Sequence, residues 1–168
     1  MTSSRRLAQL LSKKLFLRKY VWYKIGILTS EKLLALNPGF SHLTQLDNIC
    51  RYIRHGQRTK IRVITEKLRE VGFYPSSFTW LCDIVFKECQ SDRELCTFAM
   101  VFLIAMIDML EQTELEHLND TTEVFTTILS EALQENLQSR DSWRTWKFFS
   151  TTLSLLPVII FVIMQIGD

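Results

Sequence analysis

Apolar and polar positions alternate along this chain with a helical period over most of its length. In "RRLAQLLSKKLFLRKYVWYKIGIL", Leu7, Leu10, Leu11, Leu17, Val21, Trp22, Ile25 and Leu28 fall near one stripe, which predicts an opening amphipathic helix. "NPGFS" at 37–41 reads as a turn, with Ser41 placed to cap the next helix. Leu43, Leu46, Ile49, Cys50 and Ile53 then align on a helix until Gly56 interrupts it. Ile61, Ile64 and Leu68 resume the pattern, and "VGFYPSS" at 71–77 breaks it again. Phe78, Leu81, Val85 and Phe86 predict a short helix. Ser91 and Glu94 form an S-x-x-E capping box just ahead of "LCTFAMVFLIAMIDML" (95–110), a run whose one charge is Asp108. Sixteen helical residues span about 24 Å, short for a bilayer, so a helix apolar on every side belongs inside a bundle, wrapped by its neighbours. Asp120 and Glu123 suggest a further capping box. Val124, Phe125, Ile128, Leu129, Ala132 and Leu137 come next, on an amphipathic helix. The pattern as a whole predicts an all-α fold.

The chain closes differently. Phe148 to Gly167 are twenty residues without a charge, twelve of them Leu, Ile, Val or Phe. Twenty helical residues cover roughly 30 Å, the thickness of a hydrocarbon core, and Pro157 kinks such a helix without forbidding it. Arg140, Arg144 and Lys147 stand just before the run, where cytoplasmic positive charge belongs. The expectation is a helical domain over 1–147 and a C-terminal transmembrane anchor over 148–167. A last core helix is the plainer alternative, but it would ordinarily keep a polar face.

Composition narrows the picture. Five Gly and three Pro in 168 residues argue against a loop-rich or all-β fold. Cys50, Cys82, Cys89 and Cys96 lack the paired short spacings of zinc sites, and no secretory signal precedes them, so reduced, buried thiols are expected and no metal. Charge is divided: residues 1–72 hold fifteen Lys/Arg and four Asp/Glu, while residues 73–139 hold two and twelve. The basic half could meet nucleic acid or anionic lipid. It is read instead as neutralising the acidic half, since no nucleic-acid motif accompanies it. The basic, Ser-containing start also matches a mitochondrial transit peptide, an alternative that competes with the C-terminal anchor. His42, His55 and His117 stand apart, and no G-x-S-x-G, P-loop, H-E-x-x-H or Rossmann glycine pattern occurs. Neither an enzyme nor a cofactor or small-molecule substrate is expected.

The order of parts resembles the Bcl-2 family of apoptosis regulators over nearly the whole chain. "LRKYVWYKIGIL" looks like that family's first helix. "SFTWLCDIVFKECQSDRELCTFAMVF" resembles the helix, turn and central-helix start of its first homology motif, and "LQSRDSWRTWKFF" resembles its second, with Trp143 and Trp146 at the two aromatic positions. "LDNICRYI" is the best match to the third motif, with Leu46, Ile49 and Ile53 as apolar teeth and Cys50 at the small position. Arg51 stands where the family has Asp. Where the family reads Asn-Trp-Gly-Arg before the central helix, this chain reads Ser91-Asp92-Arg93-Glu94, so Glu94 replaces an Arg that pairs with an Asp of the incoming helix. A one-residue slip would put Arg93 there instead.

The resemblance implies a Bcl-2-like bundle around a central hydrophobic helix. It also implies a hydrophobic groove that takes amphipathic helices of pro-apoptotic family members, presenting anchors at helical spacing. The implied groove residues are Leu46, Ile49, Ile53, Phe78, Leu81, Val85, Arg93, Glu94, Leu95 and Phe98. The implied function is a tail-anchored, anti-apoptotic regulator. It would sit on the mitochondrial outer membrane or the endoplasmic reticulum membrane and face the cytosol. The chain's shortness, with no long loop after the first helix, suits a compact viral member. A pore-forming member of the same fold and a tail-anchored adaptor unrelated to cell death are the alternatives.

Overall fold

The computed structural model describes residues 3–27 and 42–141. These are helical, without a strand among them. In chain order they form α1 (Ser3–Leu11), α2 (Lys14–Lys24), α3 (His42–Gly56), α4 (Arg58–Val71), α5 (Pro75–Glu88), α6 (Asp92–Leu110), a 3₁₀ turn (Leu115–His117) and α7 (118–141). The chain divides into two compact units, 1–134 and 135–168, and the described part of the second is the helical stretch 135–141. The expected turn at 37–41, Trp143, Trp146 and the expected anchor at 148–167 lie outside the described residues. Among the described residues no helix is long and apolar enough to cross a membrane.

The first unit is organised around α6. Every residue from Ala99 to Ile107 is buried, two and a half turns with no face left to solvent. Helices α1, α3, α4 and α5 all pack against it. The sequence explains where α6 begins. Ser91 is extended, and its Oγ accepts the Glu94 backbone N–H at 3.1 Å, satisfying one of the donors a helix start leaves open. Glu94 reaches back in turn, but its carboxylate accepts from the Gln90 N–H at 2.8 Å, one residue earlier than in a reciprocal box. The charge that ends the apolar run, Asp108, meets Arg54 of α3 at 2.7 and 3.2 Å.

A cluster of rings fixes the neighbours. Phe78 of α5 meets Phe102 of α6 edge-on at 5.8 Å and Phe125 of α7 at 5.2 Å. Phe86 meets Phe102 at 5.3 Å, and Phe73, in the α4–α5 turn, stacks on Phe125 at 4.0 Å. Such edge-on and stacked pairs add about 0.5–1.5 kcal/mol each beyond the apolar area they bury. The turn that carries Phe73 depends on Gly72, whose φ of +91° lies in the left-handed region; a Cβ there would run into the Tyr74 ring.

Two elements differ from the sequence pattern. The opening helix is two, because Ser12 ends α1 and Lys13 is extended. The Ser12 hydroxyl donates to the Gln9 carbonyl at 2.6 Å, a local bond that competes with helix continuation. Leu11, Leu17, Tyr20 and Val21 are nonetheless fully buried, so this basic segment contributes to the core. In α7 the helix is under way by 118, so Asp120 lies within it rather than at a capping box, and Glu123 pairs with Arg18 at 3.3 Å. Val124 is exposed, while Thr122, Thr126 and Ser130 share the buried face with Phe125, Leu129 and Leu133. Their hydroxyls donate to carbonyls of their own helix at 2.6, 2.7 and 3.0 Å, which makes polar side chains tolerable inside.

Candidate partner-helix site

The residues expected to line a groove divide by depth. Leu46 and Ile53 of α3, Phe78 and Leu81 of α5, and Leu95 of α6 are buried in the core. Ile49, Val85 and Phe98 are half-buried, and Arg93 and Glu94 are exposed. The start of α6 therefore presents Arg93, Glu94 and, a turn further on, Phe98, while the deeper teeth are already covered by the protein.

Helix α4 is part of that cover. It lies against α3, α5 and α6, and Lys60 holds its ammonium 5.3 Å above the Phe98 ring. Its buried residues are Ile64, Thr65 and Leu68, so it rests on the core by a narrow stripe while its arginines, lysines and glutamates face out. Ile49 has a different setting. It lines a hollow of about 490 Å³ between α1 and α3, with Leu7, Leu10 and Lys13 among the other walls.

Helix α3 is held by polar contacts as well as by Leu46, Cys50 and Ile53. The Tyr20 hydroxyl donates to Asp47 at 2.8 Å, its oxygen lies 3.3 Å from the Cys50 thiol, and Lys24 pairs with Asp47 at 3.2 Å. Burial pushes the Tyr20 hydroxyl far above its usual range, and the adjoining Cys50 and Asp47 push it the same way. Burial also raises the Cys50 and Cys82 thiols, and it holds the Cys96 thiol up at about 11. These sulfurs stay protonated at neutral pH and behave as small apolar groups rather than nucleophiles. Among the described residues no group of three His, Cys, Asp or Glu is placed to hold a metal ion. Arg51, which stands where the resemblance would put an Asp, is exposed on α3.

One feature went unread in the sequence. Arg51, Arg54, Arg58, Arg62 and Arg69 line two adjoining concavities, of about 680 and 280 Å³, that share Arg54 and Arg58. The signal was partly available: Arg51 and Arg54 stand three apart before the break at Gly56, and Arg58, Arg62 and Arg69 follow it at steps of four and seven, each set spaced to share a helix face.

Comparison with known proteins finds no matching family model, no matching curated protein and no matching solved structure.

Proposed function

We propose that this chain is a Bcl-2-like regulator of apoptosis, an interaction protein rather than an enzyme. Its bundle around the hydrophobic α6 captures amphipathic helices of pro-apoptotic family members and so withholds them from membrane pore formation. The domain over 1–147 is tethered by the uncharged stretch at 148–167 to the mitochondrial outer membrane or the endoplasmic reticulum membrane, facing the cytosol. The observation that carries this reading is α6 itself, a nineteen-residue helix whose apolar stretch from Ala99 to Ile107 is wholly buried among α1, α3, α4 and α5, with a capped start that leaves Arg93 and Glu94 in solvent.

In this reading the partner enters at α4. Because Leu46, Ile53, Leu81 and Leu95 are covered, the partner helix reaches them by displacing α4, which rests on the three buried side chains Ile64, Thr65 and Leu68. The apolar face of the partner then takes the place of Ile64 and Leu68. Glu94 repels a carboxylate on the incoming helix, so this site favours partners that carry no Asp at that position, or a basic residue there.

The test is titration of the full chain, in detergent, with a panel of pro-apoptotic helix peptides. At least one is expected to bind at micromolar concentration or tighter. Glu94→Gln keeps an oxygen for the Gln90 N–H and removes the charge, so peptides with the usual Asp should bind it about threefold to tenfold more tightly. Failure of every peptide would leave the tail-anchored adaptor as the better account. Release of vesicle contents on adding an activating peptide would instead indicate the pore-forming one.

A further inference from the structure

The arginine-lined hollow at the α3–α4 junction is separate from the α6 start and calls for its own partner. Of its five guanidinium groups, Arg54 is committed to Asp108, and Arg62 stands 3.9 Å from Glu66. Among the described residues no carboxylate pairs with Arg51, Arg58 or Arg69; the Arg58 contact is with His55 Nδ1 at 3.3 Å. Arg51 and Arg58 line the first concavity and Arg58 and Arg69 the second, and cations without a described carboxylate partner set side by side repel each other, an arrangement that a bound anion relieves. Guanidinium forks match the paired oxygens of a phosphate better than ammonium groups do, and the cations of this hollow are arginines.

The rim favours a lipid surface over a soluble anion. Tyr52 belongs to the same hollow and is 77 % exposed, an amphipathic ring of the kind that settles at headgroup level. Of the residues lining the two concavities the one carboxylate is Glu66, and it faces Arg62. We propose that the α3–α4 arginine hollow docks the domain onto anionic phospholipid headgroups, with Arg51, Arg58 and Arg69 on the phosphates and Tyr52 at the interface. This goes beyond helix capture and does not depend on it. A tail at 148–167 would hold the domain near a membrane, and the hollow would then set which way the domain faces and which membranes it prefers.

A two-vesicle competition tests this with the full chain. Equal amounts of phosphatidylcholine vesicles and of vesicles one-third phosphatidylserine, carrying different dyes, compete for the protein, so any insertion by the tail cancels between them. At about 0.1 M salt the anionic vesicles should take roughly tenfold more protein, and the preference should fall towards one as salt rises and screening shortens. Arg51→Glu with Arg58→Glu should cut the preference to threefold or less. Lys13→Glu with Lys14→Glu, the same change of net charge on the α1–α2 junction, should leave most of it. The salt series on the unaltered chain stands even if the arginine pair folds poorly. An equal distribution at low salt overturns the proposal and would turn attention to an acidic protein partner. An equal loss from both charge-reversed pairs also overturns it, since net charge would then explain everything.

Discussion

Helix α6 and the α3–α4 junction are built on opposite plans. The first is apolar and closed on every side from Ala99 to Ile107; the second is crowded with arginine and open to solvent. The ion pair of Arg54 with Asp108 joins them. The difference separates two tasks. A helix with no polar face can only be a spine, because its side chains have nowhere else to go, whereas a surface that concentrates like charge is costly for the fold and is explained by what it meets. Stability should therefore reside around α6 and binding at its margins.

The sharpest way to break that division is at the ring cluster. Phe102 is fully buried between Phe78 and Phe86, so Phe102→Ala should cost about 3–5 kcal/mol in urea denaturation, while Tyr52→Ala should stay within about 0.5 kcal/mol. Comparable losses from both would mean that the two regions are not distinct.

Alkaline pH probes the same core by another route. The folded Cys96 thiol is raised to about 11 from an ordinary value of 9.0, so the folded state keeps a proton that the unfolded chain gives up first. The contribution is fully present below pH 9 and is lost as pH rises through 11, by about 3 kcal/mol. Cys96→Ala should flatten that part of the profile, which urea midpoints at several pH values would show.

Much of the spine was legible beforehand. The apolar run at 95–110, the Ser91 cap, the breaks at Gly56 and at 71–77 and the buried thiols all come from residue type and spacing, because burial and helix ends are decided locally. The candidate site was less legible. Leu46, Ile53, Phe78, Leu81 and Leu95 read equally well as groove or core, and depth is a property of the assembled bundle: the cover that α4 provides cannot be counted from its own residues. The α1–α2 break was missed because one serine hydroxyl decides it. The inner face of α7 was misjudged because threonines that bond to their own backbone can sit where an apolar residue is expected, leaving Val124 outside.

Smaller effects sharpen the comparison at its edges. Gly72→Ala should destabilise by about 1–2 kcal/mol, since it forces a side chain into a left-handed conformation and against Tyr74, and loosening this turn loosens the seating of α4. Arg54→Ala should cost less than about 1 kcal/mol, because both partners of its ion pair are partly exposed. A much larger loss would make that pair a structural joint between spine and hollow rather than a surface contact.

The claim on which the functional reading rests is that α4 can lift away while α6 stays enclosed. Amide hydrogen exchange on the full chain tests it directly. Amides of Ala99 to Ile107 should exchange only through global unfolding, and those of Arg58 to Val71 should exchange through a local opening several kcal/mol cheaper. If α4 and α6 instead exchange together, with one common free energy of opening, no cleft opens beside the spine and the account of helix capture is wrong.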